Sequence, residues 1–156
     1  MERHYHLLYP MRAVLVSCAY GDKENIITAA WCFPLSMDPL LFGISLSKKR
    51  FSYSIIEKSM EFVINIPGEE LAEAVEICGT TSGRNSDKWH TAKLTRDGSM
   101  AVKAPSVLEC LASIECKVIN TFETGDHVVF VGEALHVKKR KSGKGIYTTT
   151  DGLKII

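Results

Sequence analysis

The sequence predicts a mainly β domain carrying helices, folded as an antiparallel barrel or sandwich rather than a doubly wound sheet. Three observations predict this. Short runs rich in β-branched and aromatic residues recur along the chain, and most are joined by brief polar turns. Only two stretches carry a helical pattern. The two longest runs flank Gly125-Asp126 and read as the arms of one hairpin. The 156 residues suggest one domain over residues 1–156, long enough to enclose a core.

In chain order, Ala13 to Tyr20 reads as a buried strand, and Gly21 to Asn25 as a turn. Ile26 to Trp31 is a second strand, with Pro34 expected to end it. Leu40 to Leu46 is a third. Phe51 to Ser59 reads as a short helix, with Ser54 and Glu57 at capping-box spacing. Phe62 to Ile66 is a fourth strand, stopped by Pro67-Gly68. Glu69 to Cys78 is the clearest helix: it has acids in its first turn, one face of Leu71, Ala74, Val75 and Cys78, and Gly79 as its stop. Thr80 to Ser106 is polar and irregular, the mark of a functional or mobile loop.

The first hairpin arm runs from Ile114 to Phe122, where Ile114, Cys116, Val118 and Phe122 alternate with Glu115, Lys117 and Thr121. His127 to Lys138 is the other arm, and a last short strand is expected near Ile146 to Thr149. A closed barrel protects such apolar strands from edge-to-edge pairing.

Composition narrows the partners. A net charge of +1 argues against a nucleic-acid binder, which carries a basic excess over its whole domain. No run of about 18 apolar residues exists, so no segment is expected to span a membrane. Met1 to His6 has no signal-peptide pattern. The five cysteines, Cys18, Cys32, Cys78, Cys110 and Cys116, are odd in number and form no Cys-x-x-Cys pair. That favours reduced thiols in a cytoplasmic protein over a disulfide framework or a zinc site. Dinucleotide, Walker, nucleophile-elbow and zinc-protease motifs are absent.

Five stretches are candidates for chemistry. Ser45 to Ser52 leaves a strand and enters a helix. The helix N-terminus, Lys48, Arg50 and the Ser52 hydroxyl together suit a phosphate, though a solvated basic turn has the same pattern. Gly79 to Trp89 is a hydroxyl- and glycine-rich loop, suited to wrapping a polar ligand or to being a surface loop pinned by Trp89. Trp31 is either a ring against a planar ligand or a core residue. His127 is either a donor at a pocket mouth or an exposed turn residue. Lys138 to Lys144 is a patch for nucleic acid or an acidic partner or, more plainly, a solvated hairpin end. His4 and His6 match a metal pair only superficially, and a mobile terminus is the plainer reading.

Taken together, these stretches resemble the flavin reductase-like family over Leu8 to Val137. Tyr9-Pro10 comes first, then Asn25 to Trp31 with Pro34, Ser36 and Asp38-Pro39-Leu40. Ser45 to Ser52 carries an Arg-aromatic-Ser pattern, and Phe62 to Pro67 leads into Glu70-Leu71-Ala72. Cys78 to Arg84 with Asp87-Lys88 follows, then Gly125-Asp126-His127 with Gly132-Glu133. The resemblance implies an FMN-binding split β-barrel, an antiparallel Greek-key-like barrel with two or more short helices, that works as a homodimer.

By that resemblance, Thr28, Ala30, Trp31 and Cys32 lie on the isoalloxazine and ribityl chain. Ser45, Ser47, Lys48, Arg50 and Ser52 lie on the ribityl and phosphate side. Ser82, Gly83 and Lys88 close over the cofactor, and His127 stands near flavin and nicotinamide. No metal is implied. The tail departs from the family: Ile146 to Leu153 keeps Tyr147 and Gly152 but lacks the final aromatic. The expected activity is an NAD(P)H-dependent flavin reductase, using NADH or NADPH. A non-catalytic FMN electron carrier, reduced by a redox protein partner, is the alternative.

Overall fold

The computed structural model describes residues 2–156; Met1, the first residue of the expected domain, lies outside them. Twelve strands occur among the described residues: β1 (Met11–Arg12), β2 (Val14–Tyr20), β3 (Lys23–Ala29), β4 (Cys32–Met37), β5 (Leu40–Ser47), β6 (Glu61–Ile66), β7 (Arg96–Asp97), β8 (Ser106–Val107), β9 (Ala112–Thr124), β10 (His127–Lys139), β11 (Ile146–Thr149) and β12 (Gly152–Ile155). The helices are α1 (Phe51–Ser59), α2 (Ala72–Thr80) and α3 (Lys88–Thr91), with short 3-10 turns at His4–Leu8 and Glu69–Leu71.

One antiparallel sheet of seven strands, in the order β3-β2-β6-β9-β10-β5-β4, organises the molecule. Its two edge strands are consecutive in sequence, joined only by Ala30 and Trp31. The sheet therefore curls until its ends meet at the Trp31 junction, where the Ser45 amide donates to the Trp31 carbonyl at 2.9 Å. Inside the curl lies one core, built from Val16, Ile44, Phe62, Ile64 and Phe130 and closed by Ile55 and Ile56 of α1. A second core lies outside the curl, where Leu71, Ala74, Val75 and Cys78 of the α2 region meet Leu15, Ile26 and Trp89. The helical face read from the sequence is thus the buried one.

The β9–β10 hairpin turns at Gly125, whose φ of +67° favours glycine. Its register shifts at Val131/Gly132 and at Ala134/His136, and such shifts bend strands into barrels. On its other side β10 pairs with β5, which sets His127 opposite Ser47 and Val129 opposite Ser45.

Several details differ from the sequence reading. Pro34 does not end a strand; it sits inside edge strand β4, beside a register shift, where a missing N–H costs little. The α1 helix begins at Phe51, so Ser54 is no cap; its hydroxyl donates to the Phe51 carbonyl at 2.8 Å. Helix α2 runs through Gly79, which packs tightly on Thr28 of β3, where an added Cβ would stand 3.3 Å from the Thr28 Cβ.

The stretch from Thr80 to Ser106 is partly built: α3, β7 and β8 interrupt it, and Trp89, Val102 and Ala104 are buried. Glu115, which alternates with the apolar residues of β9, is itself 1% exposed. Its carboxylate accepts from the backbone amides of Met100 (3.1 Å), Ala101 (2.6 Å) and Val102 (3.3 Å).

Candidate functional site

The sheet register assembles a site at the β3–β4 junction. A cavity of about 1130 Å³ opens there, walled by Thr28 to Trp31, by Ser45 to Ser47, by Lys49 and Arg50, and by Asp126 and His127. Glu2, Arg3, Tyr5 and Tyr9 supply its outer side. A smaller cavity of about 270 Å³ adjoins it and shares Ile27, Lys49 and Arg50. Asn25, Thr80 to Arg84 and Lys88 line the rest.

The two compartments differ in chemistry. The small one gathers four cations, Lys49, Arg50, Arg84 and Lys88, with the hydroxyls of Thr80, Thr81 and Ser82. Arg50 is also the N-cap of α1 and has no side-chain cap bond. The first amides of a nine-residue helix thus reach the same place, and an anion there meets both side-chain charge and the helix dipole. The large compartment offers backbone at Ala30, serine hydroxyls and aromatic rings. Trp31 lies tilted against His127, with ring centroids 4.7 Å apart.

Each wall is held from behind. Lys88 is only 4% exposed, and its ammonium donates to the Cys78 carbonyl near the end of α2, at 3.0 Å. Burial lowers its pKa. Asn25 donates to the fully buried Ser52 hydroxyl at 2.9 Å, which ties β3 to α1. Gly83 lies so close to Asn25 that an added Cβ would fall 2.1 Å from Oδ1, so only glycine lets the loop settle there. Arg84 reaches across the small cavity, donating to the Lys49 carbonyl at 3.2 Å and lying over the Phe51 ring. His127 Nδ1 stands 2.7 Å from Asp126 Oδ1. With Nδ1–H donating to that carboxylate, Nε2 is left to meet a ligand. The same hydrogen bond holds the Asp126 carboxyl below its usual range.

The structure brings together most of the residues singled out by sequence. Ala30, Trp31, Ser45, Ser47 and His127 line the large cavity, Ser82, Gly83 and Lys88 the small one, and Arg50 both. Trp31 is partly exposed on the cavity rather than in the core. Thr28 also lines the large cavity, but its hydroxyl donates to the Val75 carbonyl at 2.5 Å and so anchors α2.

Three residues stand outside both linings. Ser52 supports Asn25. Cys32 packs on the inner core, where burial pushes its thiol pKa to about 12. Lys48 points outward to an ion pair with Glu123. Its neighbour Lys49 takes the lining position instead, and sequence reading missed both Lys49 and Arg84. In the turn Lys48-Lys49-Arg50 the last two residues line the cavities and the first does not, so one residue separates the lining lysine from the exposed one.

In the basic run that begins at the end of β10, three of the five cations are paired. Lys138 and Arg140 both reach Asp97, at 2.9 and 2.8 Å, and Lys141 pairs with Glu70 at 2.6 Å. His4 pairs with its neighbour Glu2. Among the described residues no cluster of three or more His, Cys, Asp or Glu side chains is placed to hold a metal ion. Among the described residues no helix is long and apolar enough to cross a membrane.

Comparison with known proteins bears on this geometry. The model of the family described as "Flavin reductase like domain" matches residues 5–152. The chain belongs to the flavin reductase-like family. An uncharacterized protein of Archaeoglobus fulgidus is 43% identical over 130 residues, covering 83% of this chain and 73% of that one. An NADH-dependent FMN reductase, AsuE2 of Streptomyces nodosus, is 24% identical over 151 residues, covering 91% and 80%. Among solved structures, the flavoredoxin of Desulfovibrio vulgaris superposes with a TM-score of 0.85 at 28% identity, covering 95% of this chain and 87% of that one. The flavin reductase-like domain thus has the split-barrel fold that its sequence resemblance implied. Its paired cavities fit a cofactor with an anionic end and a planar end.

Proposed function

We propose that this flavin reductase-like domain binds FMN and passes a hydride from NADH or NADPH to it. The joined cavities are the observation that carries the reading: a compact cationic compartment opens onto a wide aromatic one. A phosphate monoester carries about −1.5 to −2 charge near neutral pH, and Lys49, Arg50, Arg84 and Lys88 with the α1 amides neutralise it. Ser45 and Ser47 accept and donate to ribityl hydroxyls. Backbone N–H groups around Ala30 and Trp31 hydrogen-bond the ring heteroatoms and favour its reduced anion. When bound, FMN supplies the redox chemistry, taking the hydride at its ring. His127, held by Asp126, orients the nicotinamide, and Trp31 walls that side.

A homodimer is part of this proposal. The far half of β9, Ile119 to Thr124, is exposed on both faces, and Ile119 and Phe122 are 50% and 51% exposed there. A second copy covering them accounts for such apolar exposure, and light scattering reads the mass directly. Five unpaired thiols, four of them buried, support placement in a reducing cytoplasm.

The likeness to flavoredoxin favours a second reading, an FMN electron carrier served by a redox protein. Anaerobic titration of FMN-loaded protein separates the two. Bleaching of the visible flavin band by NADH or NADPH is the expected result. A band that persists under excess of both, yet bleaches with reduced ferredoxin, selects the carrier.

A further inference from the structure

The outer side of the large cavity is built from the chain's first turn. The backbone hydrogen bonds of that turn are local, from His6 N to Arg3 O and from Tyr9 N to His6 O, both 3.0 Å. No residue of His4–Leu8 is buried, and Leu7 and Leu8 are 83% and 73% exposed. What brings the turn onto the cavity is an aromatic side chain. The Tyr5 ring meets Trp31 edge-on, with centroids 5.3 Å apart and planes at 80°. His6 and Tyr9 brace Tyr5 from behind, at 4.5 and 6.0 Å. Trp31 in turn leans on His127. Tyr5, Trp31 and His127 therefore form a three-ring corner on a cavity of about 1130 Å³, above the roughly 300–1,000 Å³ of ordinary ligand pockets. Such a space holds a second ring beside the first.

We propose that Tyr5 determines which co-substrate enters. The corner takes a flat, conjugated ring system, whether nicotinamide or quinone, and turns away rings whose edges carry bulk out of the ring plane. The inference rests on the flavin reading of the large cavity. Rigid aromatic walls accept a flat partner by stacking or edge contact. A bulky edge meets Tyr5 and must swing the first turn away, breaking its contact with Trp31. Among the described residues the turn makes no backbone hydrogen bond into the sheet, so its position answers to side chains, Tyr5 on Trp31 and Tyr9 on Thr148.

The test uses FMN-loaded protein and two probes, naphthoquinone as the flat ring and di-tert-butylbenzoquinone as the bulky one, with dissociation constants measured by calorimetry. Unmodified protein is expected to prefer the flat probe by about 10-fold or more, the scale on which apolar pockets discriminate shape. Tyr5→Ala narrows that preference to about 3-fold or less by admitting the bulky ring, and Tyr5→Phe retains it. A far-UV circular dichroism spectrum of Tyr5→Ala matching that of the unmodified protein reports an intact fold. Displacement of naphthoquinone by NAD⁺ assigns the corner to nicotinamide, and no displacement assigns it to quinones. A preference that survives Tyr5→Ala, or unmodified protein that binds neither quinone, overturns the proposal. If FMN itself fails to bind, the flavin reading falls, and the same quinone ratio measured without FMN still decides the role of Tyr5.

Discussion

Asn25 on β3 and Asn65 on β6 are both buried, at 4% and 0% exposure, yet they do opposite things. Asn65 is saturated. Its amide donates to the Leu15 carbonyl at 3.0 Å and the Ser17 hydroxyl at 3.1 Å; its oxygen accepts from the Val107 amide at 2.9 Å and the Ser113 hydroxyl at 2.8 Å. Arg140 continues the cluster outward, from Ser113 to Asp97. Asn25 makes one side-chain bond backward, to Ser52, and otherwise faces the cationic cavity. A polar cluster whose groups are all paired within the protein locks strands together. One left open toward a cavity is available to a ligand, and the pairing of its atoms tells the two apart.

The sharpest way to break this comparison is to remove the closed cluster. Asn65→Ala leaves four buried partners one hydrogen bond short, although Ser17 keeps its bond to the Pro105 carbonyl and Ser113 its bond from Arg140. It is expected to cost about 3–4 kcal/mol of stability in urea unfolding, with FMN affinity unchanged in the protein that remains folded. Loss of FMN affinity without loss of stability would erase the distinction. On the open side, Arg50→Ala is expected to weaken FMN binding by about 1.5–3 kcal/mol while shifting the unfolding midpoint little; fluorescence titration reads it.

Next comes pH. Hydrogen bonds from Arg140 and then Lys138 hold the Asp97 carboxyl below its ordinary range. A depressed carboxylate stabilises the fold fully above its unfolded pKa and loses that contribution as pH falls through the folded value. Stability should therefore decline below about pH 4, and Asp97→Asn should remove about 1 kcal/mol at neutral pH and flatten that acid limb. The smallest effect is a deliberate blank. Lys48→Ala is expected to change FMN affinity by less than about 2-fold, because the side chain lies outside the cavity in an exposed pair. A larger loss would place Lys48 in the site.

Much of this was legible before the structure. The hairpin at Gly125-Asp126, the helical face of Leu71, Ala74, Val75 and Cys78, and the strand cores follow from local periodicity. The order of short signatures pointed to the stretches that line both cavities. What stayed hidden depends on long-range placement. Glu115 sits at an outward position of its strand, and only the loop folded over that face buries it. Pro34 reads as a stop until its strand is known to be an edge. Lys48 and Lys49 are indistinguishable in sequence, and the turn decides which one lines the cavity. Arg84 acts through a contact with Lys49, 35 positions away. Tyr5 belongs to a terminus that sequence alone reads as mobile, and its partner Trp31 is 26 positions on.

The Glu115 carboxylate shows what such long-range placement does for the rest of the chain. By accepting three successive amides from Met100 to Val102, one side chain stands in for the carbonyls of an adjacent strand. A stretch with no ladder of its own thereby acquires strand-like pairing, and its length is fixed by the reach of a single carboxylate. A segment that looks dispensable in outline is tailored to the sheet beneath it.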